Sequence, residues 1–222
     1  MQWRFVQSLR AELRALPVLS SVPRPFDVNS APATPQELFV DWFRQAVDAG
    51  EAEPHAMTLS TCDALGRPDA RVLILKDLDE QGWWFATSSA STKGQQLEQR
   101  PTAALTFYWR TLGRQVRVRG TVLTASDERA AADFRARGLG ARAVALASRE
   151  SQPLADPSEC REAVQVARAA LEAHPGLVSP NWALYSVNPD QVEFWQADPD
   201  RQHARLRYAG SGSRWVQTLL WP

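Results

Sequence analysis

The residues best suited to chemistry in this chain are cations and hydroxyls set at the ends of apolar runs. Arg71 and Lys76 bracket residues 72–75. Five apart on a regular strand they point to opposite faces, but a turn at the strand end lets both meet one anion. Ser88-Ser89-Ala90-Ser91-Thr92-Lys93-Gly94 follows an apolar run that ends at Thr87, and it opens a helical pattern. Hydroxyls, backbone N–H groups and a lysine at a helix start make a phosphate-sized pocket, although Ser and Thr in such places also serve as plain caps. Residues 201–207 read Arg-Gln-His-Ala-Arg-Leu-Arg. If that segment is extended, Arg201, His203, Arg205 and Arg207 share one strand face. Four such groups repel one another unless an anion or a carboxylate neutralises them, and Asp198 and Asp200 stand close by as ordinary surface partners.

Common catalytic signatures are absent: no Gly-x-Ser-x-Gly, no Walker loop, no Gly-x-Gly-x-x-Gly after a strand, no His-Glu-x-x-His. His55, His174 and His203 lack metal-ligand spacing. Cys62 and Cys160 stand far apart, forming neither a metal motif nor a disulfide framework, which reads as a cytoplasmic chain.

The elements that must position these residues follow from pattern. Thr34-Pro35-Gln36-Glu37 is a helix start with a capping box. Leu38, Phe39, Trp42, Phe43, Ala46 and Val47 then make one apolar face, stopped by Gly50. Further helices are predicted near 92–99, 126–136 and 158–173, the last opened by Asp156-Pro157-Ser158-Glu159. An N-terminal helix over 1–15 leads into a proline-punctuated arm (Pro17, Pro23, Pro25, Pro32). Strands are predicted over 56–61, 70–75, 83–87, 103–109, 115–123, 184–187 and 192–195, with a terminal pair near 206–208 and 215–220. Short strands with turns this frequent indicate an α+β domain, mainly antiparallel, closed as a barrel with peripheral helices. The expected division is residues 1–33 as helix and arm and 34–222 as the barrel domain.

Composition bounds the function. The 222 residues carry 25 Lys plus Arg and 25 Asp plus Glu, so no net charge offers a field for nucleic acid or an acidic membrane. No apolar run is long enough to span a bilayer, and Met1-Gln2-Trp3-Arg4-Phe5 lacks a signal-peptide core. Nine Trp imply a large aromatic core or a surface that stacks on flat ligands.

From about Pro35 to Pro222 the sequence resembles the pyridoxamine 5′-phosphate oxidase family, the flavoenzymes of vitamin B6 metabolism. The motifs that carry the resemblance run in order: Glu53-Pro54-His55-Ala56-Met57-Thr58-Leu59; Arg71 through Lys76, then Asp79-Glu80-Gln81-Gly82; Ser91-Thr92-Lys93-Gly94; Leu112-Gly113-Arg114-Gln115-Val116; Phe134-Arg135-Ala136-Arg137; Val192-Glu193-Phe194-Trp195-Gln196; and Arg201-Gln202-His203-Ala204-Arg205. The resemblance implies an FMN-binding split β-barrel that works as a homodimer with two FMN at the subunit interface. By it, Arg71, Lys76, Thr87 and Lys93 hold the cofactor from one subunit, and Gln115, Ser151, Trp195 and Arg205 from the other. It assigns Lys76 and Arg137 to the substrate phosphate and Arg201 and His203 to the substrate ring. Asp133 and Ala141 stand where the family has a tyrosine and a serine that donate to that phosphate. Thr92, Glu150 and Val144-Ala145-Leu146 are further departures, and the family's N-terminal Arg-x-x-Tyr has no clear counterpart in residues 9–13.

Three functions are compatible with this. The first is oxidation of pyridoxamine or pyridoxine 5′-phosphate to pyridoxal 5′-phosphate, with O2 as acceptor and H2O2 released. The second keeps the flavin and changes the substrate to another planar compound, such as a dihydrophenazine-like metabolite. The third is a flavin-binding protein without turnover.

Overall fold

A computed structural model describes residues 10–19, 26–211 and 214–222. Six helices are described: α1 (Arg10–Ala15), α2 (Pro35–Asp48), α3 (Thr92–Gln99), α4 (Asp127–Ala136), α5 (Leu139–Ala147) and α6 (Pro157–Ala173). Nine strands accompany them: β1 (Ala56–Cys62), β2 (Pro68–Ile74), β3 (Asp77–Asp79), β4 (Gly82–Ser88), β5 (Thr102–Trp109), β6 (Arg114–Thr124), β7 (Trp182–Gln196), β8 (Ala204–Ser211) and β9 (Arg214–Leu219).

All ladders are antiparallel, in the order β2-β1-β5-β6-β7-β4-β3, with β8 on β7 and β9 on β8. The fold is the split β-barrel with peripheral helices. It is not the fully closed barrel that the turn frequency alone predicts. Among the described residues no ladder joins β2 to β3, and Lys76 N–H donating to Trp84 O at 2.8 Å fastens the chain there instead. The long strand β7 explains the split. Its first half pairs with β4 and its second with β8, while β6 runs along the whole of its other edge.

The sequence pattern divides β7 into two short strands, because Pro189 cannot donate to a ladder. The chain nevertheless continues as one strand of 15 residues. Pro189 lies opposite Gly120, and the register then shifts so that Arg119 faces Gln191, leaving Asp190 as the extra residue of a bulge. The helix α5 and the short β3 were not expected from sequence. The predicted helix over 1–15 is seen as α1 from Arg10, and residues 1–9 and 20–25 of the arm lie outside the described residues.

Strict alternation builds the core. Ala103, Leu105, Phe107 and Trp109 of β5 face inward, as do Val116, Val118 and Val122 of β6. Helix α2 covers this layer with Leu38, Phe39, Trp42 and Ala46, and its start is the expected capping box of Thr34 and Glu37. Phe39 meets Phe107 and Trp83 edge-on at 4.9 and 5.5 Å between centroids. Four tryptophans, Trp42, Trp83, Trp84 and Trp109, are thus core residues, and only part of the tryptophan surplus is left for other work. Helices α4, α5 and α6 gather Phe134, Ala143, Ala167 and Leu171 into a second cluster. No helix of the described residues is long and apolar enough to cross a membrane.

Tyr208 gives the core a pH signature. Burial, helped by the charge of Glu37, pushes its phenol up to about 12, while its hydroxyl donates to Pro32 O at 2.8 Å. The folded chain therefore holds this proton more tightly than the unfolded chain, whose tyrosines titrate near 10. The stabilisation is complete below pH ~10 and is lost as pH rises through the folded value. Tyr208→Phe should flatten the fall in unfolding free energy between about pH 10 and 12, measured by urea titration. An unchanged slope would remove Tyr208 from that role.

Candidate functional site

The hydroxyl-rich segment after β4 folds as a capped helix start. Ser91 is the N-cap of α3, accepting from Gly94 N–H at 3.2 Å and donating to Ser88 O at 2.7 Å. The chain passes so closely here that a Cβ on Gly94 would lie 2.3 Å from Ser89 O, so only glycine fits. Lys93 is buried, and its ammonium is shared between Ser91 Oγ at 3.3 Å and the carboxylate of Glu150. The neighbouring Ser151, at a left-handed φ of 72°, accepts from Thr92 N–H at 3.2 Å. Within one chain, therefore, Glu150 and Ser151 close over the α3 N-terminus, whereas the resemblance sets Ser151 with the residues of the other subunit. Thr87 is buried on β4 just before this turn.

Arg71 on β2 reaches the same helix from below. Its guanidinium donates to Thr61 Oγ1 at 2.6 Å and to Gln96 Oε1 at 3.5 Å, and pairs with Asp69 at 2.5 Å. Thr61 in turn donates to Gln96 at 2.5 Å, so two buried polar residues tie β1 and β2 to α3. Neither Thr61 nor Gln96 was picked out from sequence. They stand 35 residues apart, and only the packing of α3 on β1 brings them together.

Lys76 lies past the end of β2 and has a separate partner set. Its ammonium pairs with Asp133 Oδ1 of α4 at 3.1 Å, and Trp182 Nε1 donates to Asp133 Oδ2 at 3.0 Å. The Arg137 guanidinium lies over the Trp182 ring, 4.2 Å from its centroid. Burial pushes the Arg137 pKa down, against the opposing pull of Asp133, and its Nη1 is buried with no partner. Ala141, on α5, supplies no donor.

The third group lies across three adjacent strands. Gln115 of β6 is level with Trp195 of β7, and Trp195 is level with Arg205 of β8, so the three stand abreast on one face. Arg205 is held by Glu193 at 2.7 and 3.0 Å and donates to Trp221 O at 3.0 Å. Glu193 is buried and also pairs with Arg117 at 3.6 Å. This is the carboxylate that a file of cations requires. The expected single face of four is only half realised: Arg205 and Arg207 lie on β8, while Arg201 and His203 precede it. Asp198 makes a turn there, accepting from Asp200 and Gln202 N–H, and Arg201 takes a left-handed φ of 63°. His203 accepts from Asp198 N–H at 3.0 Å through Nδ1 and sits against Trp195, centroids 4.8 Å apart.

The structure thus brings Lys93 and Ser151 together at the α3 N-terminus, sets Arg71 against Gln96 in the middle of that helix, and leaves Thr87 buried on β4 before the turn. It places Lys76 and Arg137 with Asp133 and Trp182, and Gln115, Trp195, Arg205 and His203 on the β6–β7–β8 face. Arg201 is exposed beside that face.

Comparison with known proteins gives two family matches. Residues 43–196 match the model described as pyridoxamine 5′-phosphate oxidase. Residues 182–222 match that of the pyridoxine 5′-phosphate oxidase C-terminal dimerisation region. A pyridoxine/pyridoxamine 5′-phosphate oxidase of Pseudomonas fluorescens is 43% identical over 194 residues, covering 86% of this chain and 90% of the relative. One from Bordetella petrii is 45% identical over 185 residues, covering 83% and 87%. Among solved structures, PhzG from Burkholderia lata 383 in complex with tetrahydrophenazine-1-carboxylic acid aligns with a TM-score of 0.84 and 30% identity, over 91% of this chain and 100% of that one.

Proposed function

Because the chain belongs to the pyridoxamine 5′-phosphate oxidase family, we propose that it is a homodimeric FMN-dependent oxidase acting on a planar ring-bearing substrate, with O2 as acceptor and H2O2 as product. Pyridoxamine and pyridoxine 5′-phosphate, oxidised to pyridoxal 5′-phosphate, are the substrates that the relatives' names support. The observation that carries the cofactor reading is the α3 N-terminus. A buried ammonium, serine hydroxyls and a turn with room only for glycine suit an FMN phosphate of nearly two negative charges. When bound, FMN supplies the hydride-accepting ring that O2 reoxidises. Lys93, Ser91 and Arg71 would hold its phosphate, and Thr87 and Ser151 would line the approach. The file of Gln115, Trp195 and Arg205 would come from the partner, a placement favoured by the match of residues 182–222 to a dimerisation region. His203 and Arg201 would orient the substrate ring. Positioning is the main contribution such a site makes, because hydride transfer needs alignment more than a strong base.

A second reading, with a substrate other than a B6 phosphate, is favoured by the Lys76–Asp133 pair, which would set a carboxylate beside the lysine that the resemblance assigns to the substrate phosphate. The structural likeness to PhzG agrees with it. The test is direct. The purified protein should be yellow and should release peroxide with one planar substrate from a panel that includes pyridoxamine 5′-phosphate. A colourless protein that takes up no FMN would overturn the proposal. A yellow protein inert to the whole panel would leave only flavin binding.

A further inference from the structure

A cavity of about 440 Å³ lies between α3, the last residues of β6, the start of β7 and the turn after β4. Arg71, Thr87, Lys93 and Ser151 are not among the residues that line it, so it is separate from the site described above. Its volume admits one small organic molecule. Leu97, Pro101 and Val122 give it an apolar wall. Two groups give it chemistry. Tyr185 is only 6% exposed, its ring stacked on Phe85 with centroids 5.6 Å apart. Its hydroxyl has no hydrogen-bond partner among the described residues, yet it is not closed off from solvent. Glu98 of α3 is exposed and has no ion pair among the described residues. Burial, seconded by the charge of Glu98, pushes the Tyr185 phenol up, so the hydroxyl stays neutral with the carboxylate near it.

A carboxylate only accepts hydrogen bonds, and a phenol oxygen accepts as well. A ligand group that donates several hydrogens and carries one positive charge satisfies both, and an ammonium does this. A phosphate or carboxylate ligand would meet Glu98 as a like charge. A neutral ring would cover the apolar wall and leave both acceptors to water. We propose that this cavity binds a small organic monocation, a primary ammonium on an apolar or aromatic body, with Glu98 and Tyr185 accepting from the ammonium and Leu97, Pro101 and Val122 packing on the body. The inference goes beyond the oxidase reading and does not rest on it.

The test compares three molecules of nearly equal shape: 2-phenylethylammonium, 2-phenylethanol and 3-phenylpropionate. Calorimetric titration of the purified protein near pH 7, where an alkyl amine is protonated, gives each affinity. The ammonium should bind saturably with a Kd below about 1 mM, at least about tenfold more tightly than the alcohol, and the propionate more weakly than either. Glu98→Gln should weaken the ammonium at least about tenfold and leave the alcohol within about twofold. Tyr185→Phe keeps the stacked ring and should weaken the ammonium by roughly three- to tenfold. Neither variant removes a side-chain hydrogen bond, so Tm should match that of the native protein. An ammonium bound no more tightly than the alcohol, a preference for the propionate, or equal effects of Glu98→Gln on ammonium and alcohol would overturn the inference. FMN content measured on the same samples keeps the two claims apart. A flavin-free protein that still selects the ammonium fails only the oxidase reading, whereas a flavin-loaded protein that does not select it fails only this one.

Discussion

Lys93→Ala should purify almost free of FMN, while Glu150→Gln should bind FMN more tightly than the native chain. Both expectations come from one contact. The Lys93 ammonium is buried at the start of α3 and is already claimed by the Glu150 carboxylate. An incoming phosphate must share that ammonium with Glu150 or displace it, and it must tolerate the carboxylate as a near neighbour. Removing the lysine deletes a charge-assisted hydrogen bond worth about 1.5–3 kcal/mol, roughly 10- to 150-fold in affinity, and leaves Glu150 facing the phosphate alone. Lys93→Arg keeps the charge and should lose less. Glu150→Gln keeps the shape, removes the competitor and should gain about tenfold or more, with a weaker dependence on salt. Quenching of flavin fluorescence during titration of the apoprotein measures all four proteins. Equal affinities for native and Lys93→Ala would remove the α3 start from the cofactor site.

The second large effect is on folding. Gly82 opens β4 at a φ of +119°, and a Cβ built there would lie 2.0 Å from Val187 O. No rotamer relieves a clash with backbone. Gly82→Ala should therefore cost roughly 2–6 kcal/mol, about 1–3 from the strained φ and about 1–3 from overpacking. In a chain of this size that lowers Tm by roughly 5–15 °C. The damage reaches the site, because β4 carries Thr87 and delivers the chain into the Ser88–Lys93 turn. Gly176→Ala is the control: nothing lies within 4 Å of its Cβ position, and Tm should hardly move. A Gly82→Ala protein that melts with the native one would show that the β3–β4 hairpin can shift away from Val187.

Local patterns made much of this architecture legible. Alternation placed β5 and β6, and the Thr34–Glu37 capping box placed α2 to the residue. The capped helix start at Ser91–Gly94 was readable because the cap, lysine and glycine are contiguous there. Helix α5 escaped notice because its start carries no capping side chain: Gly138 is the N-cap and Gly140 follows in the first turn. The arginine file from 201 to 207 misled the period-two reading, because the Asp198 turn competes locally with the strand.

What the sequence by itself determined is the inventory: neutral overall charge, an alternating antiparallel framework, a hydroxyl-and-lysine helix start, and the unusual acids Asp133 and Glu150. Only the tertiary structure decided what those acids do. Asp133 lies 57 residues from Lys76 and 49 from Trp182, and Glu150 lies 57 from Lys93. Whether a carboxylate repels a ligand or neutralises a lysine depends on distances of a few ångströms. Such distances are set by how α4 and the segment after α5 fold back over the barrel, and no local periodicity encodes them.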